Sequence, residues 1–365
     1  MTVFDRAAAH IRSISPYQPG KPISELAREM GLQESSIVKL ASNENPLGMS
    51  PHARAAALAA IDEVPRYPDG NGFELKQAVM RHHDINIDQI VLGNGSNDVL
   101  EMVARALLGP GTSAVYSKHA FAVYPLATLA AGACGIEVRA RDFGCDLDAM
   151  RAAVRDDTRV VFIANPNNPT GTFVDAAALE HFVASVPADV LVVLDEAYSE
   201  YLPEHLAYDS ARWLARYPNL LVSRTFSKAY GLGGLRVGYG IGQPPVIDLL
   251  NRVRQPFNVS NVGLAAAAAA LADQDFVRAS AAANAAGLRQ IEAFFDAQGI
   301  EYIRSYANFI AFRAGDAATV NRRLLEQGVI VRPVAGYAMP EWLRVSIGLE
   351  SENARFIDAL TRART

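Results

Sequence analysis

From about residue 88 the chain alternates short apolar runs with stretches of helical pattern, and the runs are apolar at nearly every position. Arg159-Val160-Val161-Phe162-Ile163, Val190-Leu191-Val192-Val193-Leu194 and Asn219-Leu220-Leu221-Val222 are the clearest. A strand apolar on both faces must be covered on both faces, which is the situation in a mostly parallel sheet flanked by helices. Such α/β sheets bind their ligands beyond the carboxyl ends of the strands. The residues that follow each run are therefore where chemistry is expected.

Those residues are polar and small. Gln89-Ile90-Val91-Leu92 runs into Gly93-Asn94-Gly95-Ser96-Asn97-Asp98 and a helical stretch. Free N–H groups and the helix dipole at such a start favour a phosphate, although Ser96 or Asn97 could instead be a helix N-cap. The spacing lacks the full GxGxxG form, so it is not a dinucleotide fingerprint. The 159–163 run enters Ala164-Asn165-Pro166-Asn167-Asn168-Pro169-Thr170-Gly171. Its chemistry is that of a tight turn, which fixes the Asn168 amide between rigid neighbours. The 190–194 run ends in Asp195-Glu196-Ala197-Tyr198. A carboxylate there is costly unless it meets a cation, so Asp195 is either a charge awaiting a partner or an exposed loop acid.

Lysine usage singles out one position. The chain has five lysines (Lys21, Lys39, Lys76, Lys118, Lys228) among 34 basic residues, and Lys228 is the only one after residue 118. An amine, unlike a guanidinium, can lose its proton and condense with a carbonyl. Lys228 lies just past an apolar run, in Ser223-Arg224-Thr225-Phe226-Ser227-Lys228-Ala229-Tyr230-Gly231, with Arg236 close behind. The alternative is a solvated loop lysine. Hydroxyls, glycines and an arginine around it suit a phosphorylated cofactor held through the lysine.

The rest of the chain sets bounds. A helical stretch and Ser15-Pro16-Tyr17-Gln18-Pro19-Gly20-Lys21-Pro22 make residues 1–35 an arm able to lie across a neighbour. Residues 36–255 read as a large cofactor-binding domain, and residues 256–365, with an alanine-rich helical region at 264–298 and an apparent strand at 329–332, as a smaller α+β domain. With 20% charged residues and a net charge of -5 there is no electrostatic footprint for nucleic acid or an anionic membrane. No apolar run reaches about 18 residues. The start lacks a signal-peptide core, so a cytoplasmic location is expected. Two cysteines, Cys134 and Cys145, and seven scattered histidines suggest neither a disulfide framework nor a metal site.

In this order and spacing, Asn167-Asn168-Pro169-Thr170-Gly171, Asp195-Glu196-Ala197-Tyr198, Ser227-Lys228-Ala229 with Leu235-Arg236-Val237-Gly238-Tyr239, and Leu343-Arg344-Val345-Ser346-Ile347-Gly348 resemble the fold type I pyridoxal-phosphate aminotransferases over nearly the whole chain. The resemblance implies a seven-stranded, mostly parallel sheet, with a smaller domain built from the arm and the C-terminal region. It implies pyridoxal 5′-phosphate held by Lys228, with Lys228 also the acid and base. Asp195 would pair with the pyridine nitrogen, Asn168 and Tyr198 would bond the 3′-oxygen, and Phe121 would stack on the ring. Gly95, Ser96, Asn97, Thr225, Ser227 and Arg236 would take the phosphate. Tyr67 would reach it from a second subunit, implying a homodimer. Asn97 stands where relatives often carry Asp, and Phe121 where some carry Tyr.

Within that family, Asn43-Glu44-Asn45-Pro46, Arg66-Tyr67-Pro68-Asp69 and Val331-Arg332-Pro333 are most similar to the branch acting on histidinol phosphate, with glutamate and 2-oxoglutarate as the second pair. This implies substrate contacts from Tyr17 (of the partner's arm), Asn45, Arg332 and Arg344, the last binding the α-carboxylate of glutamate. Aromatic amino acid aminotransferases share these motifs and differ around Tyr17, Arg332 and Tyr337. A phenyl ring needs apolar lining, whereas a phosphate needs the second arginine. A related decarboxylase would leave Arg344 without its use. A cofactor-sensing regulator would need a DNA-binding module for which the chain has no spare residues.

Overall fold

The computed structural model describes residues 1–364. In chain order its strands are β1 (Val38–Lys39), β2 (Ile90–Asn94), β3 (Ser113–Ser117), β4 (Cys134–Val138), β5 (Thr158–Ala164), β6 (Leu191–Asp195), β7 (Leu220–Thr225) and β8 (Val237–Gly242). They continue with β9 (Tyr302–Ile303), β10 (Phe309–Arg313), β11 (Val329–Ile330), β12 (Arg332–Pro333) and β13 (Trp342–Ser346). The main sheet has seven strands in the order β2-β8-β7-β6-β5-β3-β4. Only β8 runs against the rest, pairing antiparallel with both β2 and β7. The carboxyl ends of β2, β5, β6 and β7 therefore point the same way.

The continuous apolar runs do cover both faces. Along β5, Val160 and Phe162 pack with Val91, Val193 and Leu221 on one side. Val161 and Ile163 pack with Val192, Leu194 and Val222 on the other. Fully burying each such side chain contributes about 1.5–3 kcal/mol, so both helical layers are held firmly. A second, antiparallel sheet has the order β12-β13-β10-β9 and its own core around Phe295, Phe312 and Phe356. β1 pairs in parallel with β11, which fastens the chain just before Ala41 to this C-terminal region.

Local structure departs from the sequence pattern in three places. The 264–298 helical region is two helices, Asn261–Ala272 and Gln274–Ala297, because the Asp273 side chain accepts the Phe276 N–H and caps the second. The apparent strand at 329–332 divides, β11 pairing with β1 and β12 with β13. β8 went unseen in sequence because glycine occupies every second position. At Gly238 the reason is steric, since a Cβ would collide with the Ser96 backbone nitrogen. Among the described residues no helix is long and apolar enough to cross a membrane, and no group of three or more His, Cys, Asp or Glu is placed to hold a metal.

Candidate active site

A cleft opens between the strand ends of the main sheet and the β12–β13 ladder. At one end, Gly95 adopts a positive φ of 76° and is itself the N-cap of the helix Ser96–Leu107. No side chain caps that helix, so the Ser96 hydroxyl and the Asn97 amide are not used for capping, and both line the cleft. A Cβ on Gly95 would run into the Arg236 guanidinium. Arg236 is itself left-handed (φ 55°), and its Nη1 donates to Ser227 Oγ at 3.3 Å and to the Gly233 carbonyl at 3.0 Å. Thr225 Oγ1 accepts the Ser227 N–H at 3.1 Å. Donors from three separate segments thus close on one small space, with the helix dipole behind it.

Across the middle of the cleft lie Asp195 and Tyr198, both buried, and Lys228, half-buried. Asp195 is 4% exposed and accepts the Tyr124 hydroxyl on Oδ2 at 2.9 Å, while its Oδ1 has no partner. Burial pushes the carboxyl up to about 6, against the Tyr124 and Ala197 hydrogen bonds that favour the charged form. Lys228 Nζ donates to the Ser42 carbonyl at 3.2 Å and lies 5.8 Å from the Tyr198 ring centroid. Burial brings its amine down to about 8, helped by the charges of Arg344 and Arg236. An amine near 8 supplies both protonation states close to neutrality, as an acid and base must. Phe121 lines the same space, its ring edge-on to Tyr124 at 5.9 Å.

The far end holds two arginines. Arg344, 5% exposed, donates through Nη1 to Asn168 Oδ1 and through Nη2 to the Ala41 carbonyl at 2.9 Å, over the Phe309 ring at 4.9 Å. Its Nε has no partner, and burial depresses its affinity for a proton. With Oδ1 taken, the Asn168 amide presents its N–H₂ to the cleft. Arg332 donates through Nη2 to the Gln18 carbonyl at 2.7 Å and to Tyr17 Oη at 3.4 Å. That Tyr17 belongs to the same chain, where the sequence suggested a partner's arm.

Two other expectations are placed elsewhere. Asn45 does not reach the cleft; its amide donates to the Ala229 carbonyl and to Ser280 Oγ, each at 2.8 Å, so it acts as a structural tie. Tyr67 lies outside the cleft, 83% exposed and stacked on Phe257 at 4.8 Å, beside the outer side of Arg236. Sequence reasoning also missed two residues. Tyr124 stands in the helix Val123–Ala130, and no pattern in the sequence marks it as a partner of Asp195. Asn43 lay inside the Asn43-Glu44-Asn45-Pro46 motif without a role.

The donor set fits pyridoxal 5′-phosphate. The orphaned Asp195 Oδ1 calls for an N–H from a cation, the Gly95 and Arg236 end suits a phosphate, and the half-buried Lys228 amine lines the same cleft.

Comparison with known proteins adds to this. The model of the family aminotransferase class I and II matches residues 35–360. A protein of Nitrosospira multiformis named histidinol-phosphate aminotransferase 2 is 62% identical over 364 residues, covering 100% of this chain and 93% of that protein. Histidinol-phosphate aminotransferase 1 of Thiobacillus denitrificans is 63% identical over 97% of this chain and 92% of its own length. Among solved structures, the histidinol-phosphate aminotransferase of Sinorhizobium meliloti in complex with pyridoxal-5′-phosphate is similar with a TM-score of 0.89 at 29% identity, covering 98% of this chain and 97% of that one.

Proposed function

The chain belongs to the aminotransferase class I and II family, and from that premise we infer that it uses pyridoxal 5′-phosphate to exchange an amino group between two substrate pairs. These are L-histidinol phosphate with imidazole acetol phosphate, and L-glutamate with 2-oxoglutarate, the exchange made in histidine biosynthesis. The observation that carries the substrate assignment is the pair of cleft arginines, Arg344 and Arg332, directly opposite each other on β13 and β12 with no carboxylate partner among the described residues. Two anionic groups are needed, one for each.

Bound pyridoxal phosphate supplies an electron-withdrawing ring that makes the carbon next to the substrate amine acidic. Everything else falls to the chain. Asp195, whose Oδ1 has no partner in the chain, would pair with the ring nitrogen and favour its protonated form by the charge it presents. Lys228 Nζ would take the proton from the substrate α-carbon and return it to the cofactor's C4′ carbon, and the Ser42 carbonyl holds the amine in reach. Asn168 and Tyr198 would donate to the ring oxygen, while Ser96, Asn97, Thr225, Ser227 and Arg236 would hold the phosphate. Arg344 binds the glutamate carboxylate, a bidentate match for a guanidinium. Histidinol phosphate carries a phosphorylated hydroxymethyl group in that place, and its phosphate goes to Arg332 and Tyr17.

We also assign the protein to the cytoplasm as a homodimer. Tyr67 and Phe257 form an exposed aromatic pair beside Arg236, with Val64 exposed nearby, and a second copy laid there would complete the phosphate end of the cleft.

A single-turnover experiment tests the reading. Protein loaded with pyridoxal phosphate is mixed separately with L-histidinol phosphate, L-glutamate and L-phenylalanine, and the change in cofactor absorbance is followed. Fast conversion by the first two and slow conversion by phenylalanine is expected. Phenylalanine reacting as fast as histidinol phosphate would move the enzyme to aromatic amino acids.

A further inference from the structure

Three consecutive residues, Ala41, Ser42 and Asn43, touch three of the groups assigned above, although none of the three carries a catalytic side chain. The Ala41 carbonyl accepts from Arg344, the Ser42 carbonyl from Lys228, and the Asn43 side chain donates from Nδ2 to Tyr198 Oη at 2.9 Å. Asn43 is 1% exposed and left-handed, with φ 56°. A buried non-glycine residue in that region is held there by its surroundings. Its N–H donates to Ser346 Oγ at 2.8 Å, its carbonyl accepts from Asn308 at 2.9 Å, and its Oδ1 accepts the Ser346 hydroxyl at 3.0 Å.

We propose that Asn43 is a positioning residue for this site: its amide fixes which way the Tyr198 hydroxyl proton points, and its left-handed turn aims the two preceding carbonyls at Lys228 and Arg344. This rests on the functional reading above.

The donor count makes the argument. A tyrosine hydroxyl has one proton and two lone pairs. Asn43 occupies a lone pair, and no described residue accepts the proton, so the proton is directed into the cleft. The amide cannot turn over without loss. Ser346 Oγ already accepts the Asn43 N–H and gives its own proton to Oδ1, so a turned amide would leave that proton without an acceptor. Ser346 lies two positions along β13 from Arg344, on the same strand. The amide therefore links the strand that binds one substrate to the hydroxyl that addresses the cofactor. Tyr198 also faces the charges of Arg344, Asp195 and Lys228 and the Tyr337 hydroxyl, none of which substitutes for the amide as a donor to its oxygen.

The test is made on the full-length holoenzyme. The readout is the pH midpoint of the bound cofactor's absorbance, together with circular dichroism to confirm folding. A donor to the ring oxygen stabilises negative charge there, so weakening the donor raises the midpoint. Asn43→Gly keeps the left-handed backbone and removes the amide. It is expected to raise the midpoint by about half a unit or more, in the same direction as Tyr198→Phe. The double variant is expected to shift no further than Tyr198→Phe alone, since both changes act through one hydroxyl. Asn43→Asp, which turns the donor into an acceptor and draws the Tyr198 proton out of the cleft, is expected to shift it more than Asn43→Gly. If Asn43→Gly does not fold, Ser346→Ala makes the same test by freeing the amide, with a rise of the same sign. An unmoved midpoint in the folded variant, or a double variant whose shift is the sum of the two, overturns the proposal. A wild-type protein that binds no pyridoxal phosphate overturns the functional reading instead, so the two failures are distinguishable.

Discussion

Arg332 and Arg344 are direct partners across the β12–β13 ladder, and both side chains turn into the same cleft. Like charges in that relation repel, and a buried guanidinium without a carboxylate is expensive. A fold keeps such a pair only where anions arrive to neutralise it, one at the buried position and one at the more open one.

The two arginines should separate by substrate. Arg344→Gln is expected to lower kcat/KM for glutamate by about 10²–10³-fold, because the carboxylate loses a charge-assisted, desolvated partner. Histidinol phosphate, which has no carboxylate, should lose about tenfold or less. Half-reactions measured separately with each donor check this, and equal losses would contradict the division of labour.

Arg332→Gln should do the reverse. A raised KM for histidinol phosphate, by about 10–10²-fold, is expected with the glutamate half-reaction little changed. Removing one of two facing cations also relieves repulsion, so urea unfolding of the variant should show stability no lower than wild type. A loss for glutamate as large as that for histidinol phosphate would place Arg332 in the general framework of the cleft and not in substrate choice.

In the proposed role, Asp195 would trade stability for cofactor binding. In the cofactor-free protein burial holds its carboxyl proton up to about 6, whereas the unfolded chain releases it near 3.8. Between those values the folded state binds more protons, so this contribution to stability is full below about 4 and lost as pH rises through 6. Asp195→Asn should remove that loss, making the cofactor-free variant about 3 kcal/mol more stable than wild type at pH 7 while binding pyridoxal phosphate more weakly. Denaturant melts across pH 4–8, with and without cofactor, check both halves. A variant less stable than wild type at pH 7 would mean that Tyr124 and Ala197 outweigh the burial of the charge.

Tyr67 tests the shared site. It lies outside the cleft of its own chain, so Tyr67→Ala should leave cofactor affinity unchanged in a monomer and weaken it about tenfold in a dimer that borrows the hydroxyl. Sedimentation is expected to show a species of twice 39.3 kDa. A monomeric protein that binds the cofactor fully would rule the arrangement out.

What could be read in the sequence follows from how local each signal is. A run such as Val190-Leu191-Val192-Val193-Leu194 states its own burial, and the residues beyond it inherit a position at the sheet's carboxyl edge. The same reasoning fails where pattern and environment separate. β4 is half exposed, so it has no apolar run to show, and the glycines of β8 hide a strand whose close neighbours, the Ser96 backbone at Gly238 and the Val99 and Val91 side chains at Gly240, leave no room for a Cβ.

The sequence by itself determined the buried strands β5, β6 and β7 and the residue types brought to their ends, because period and burial are properties of a few consecutive side chains. Tertiary structure decided which of two adjacent acids faces the cleft. Strand alternation turns Asp195 inward with one oxygen left over and gives Glu196 to the half-buried Arg224. It also decided that Asn45 is a tie and Asn43 a neighbour of Tyr198, two residues apart in one motif. The difference lies in partners at positions 198, 280 and 346, and only the folded chain brings those within hydrogen-bond reach.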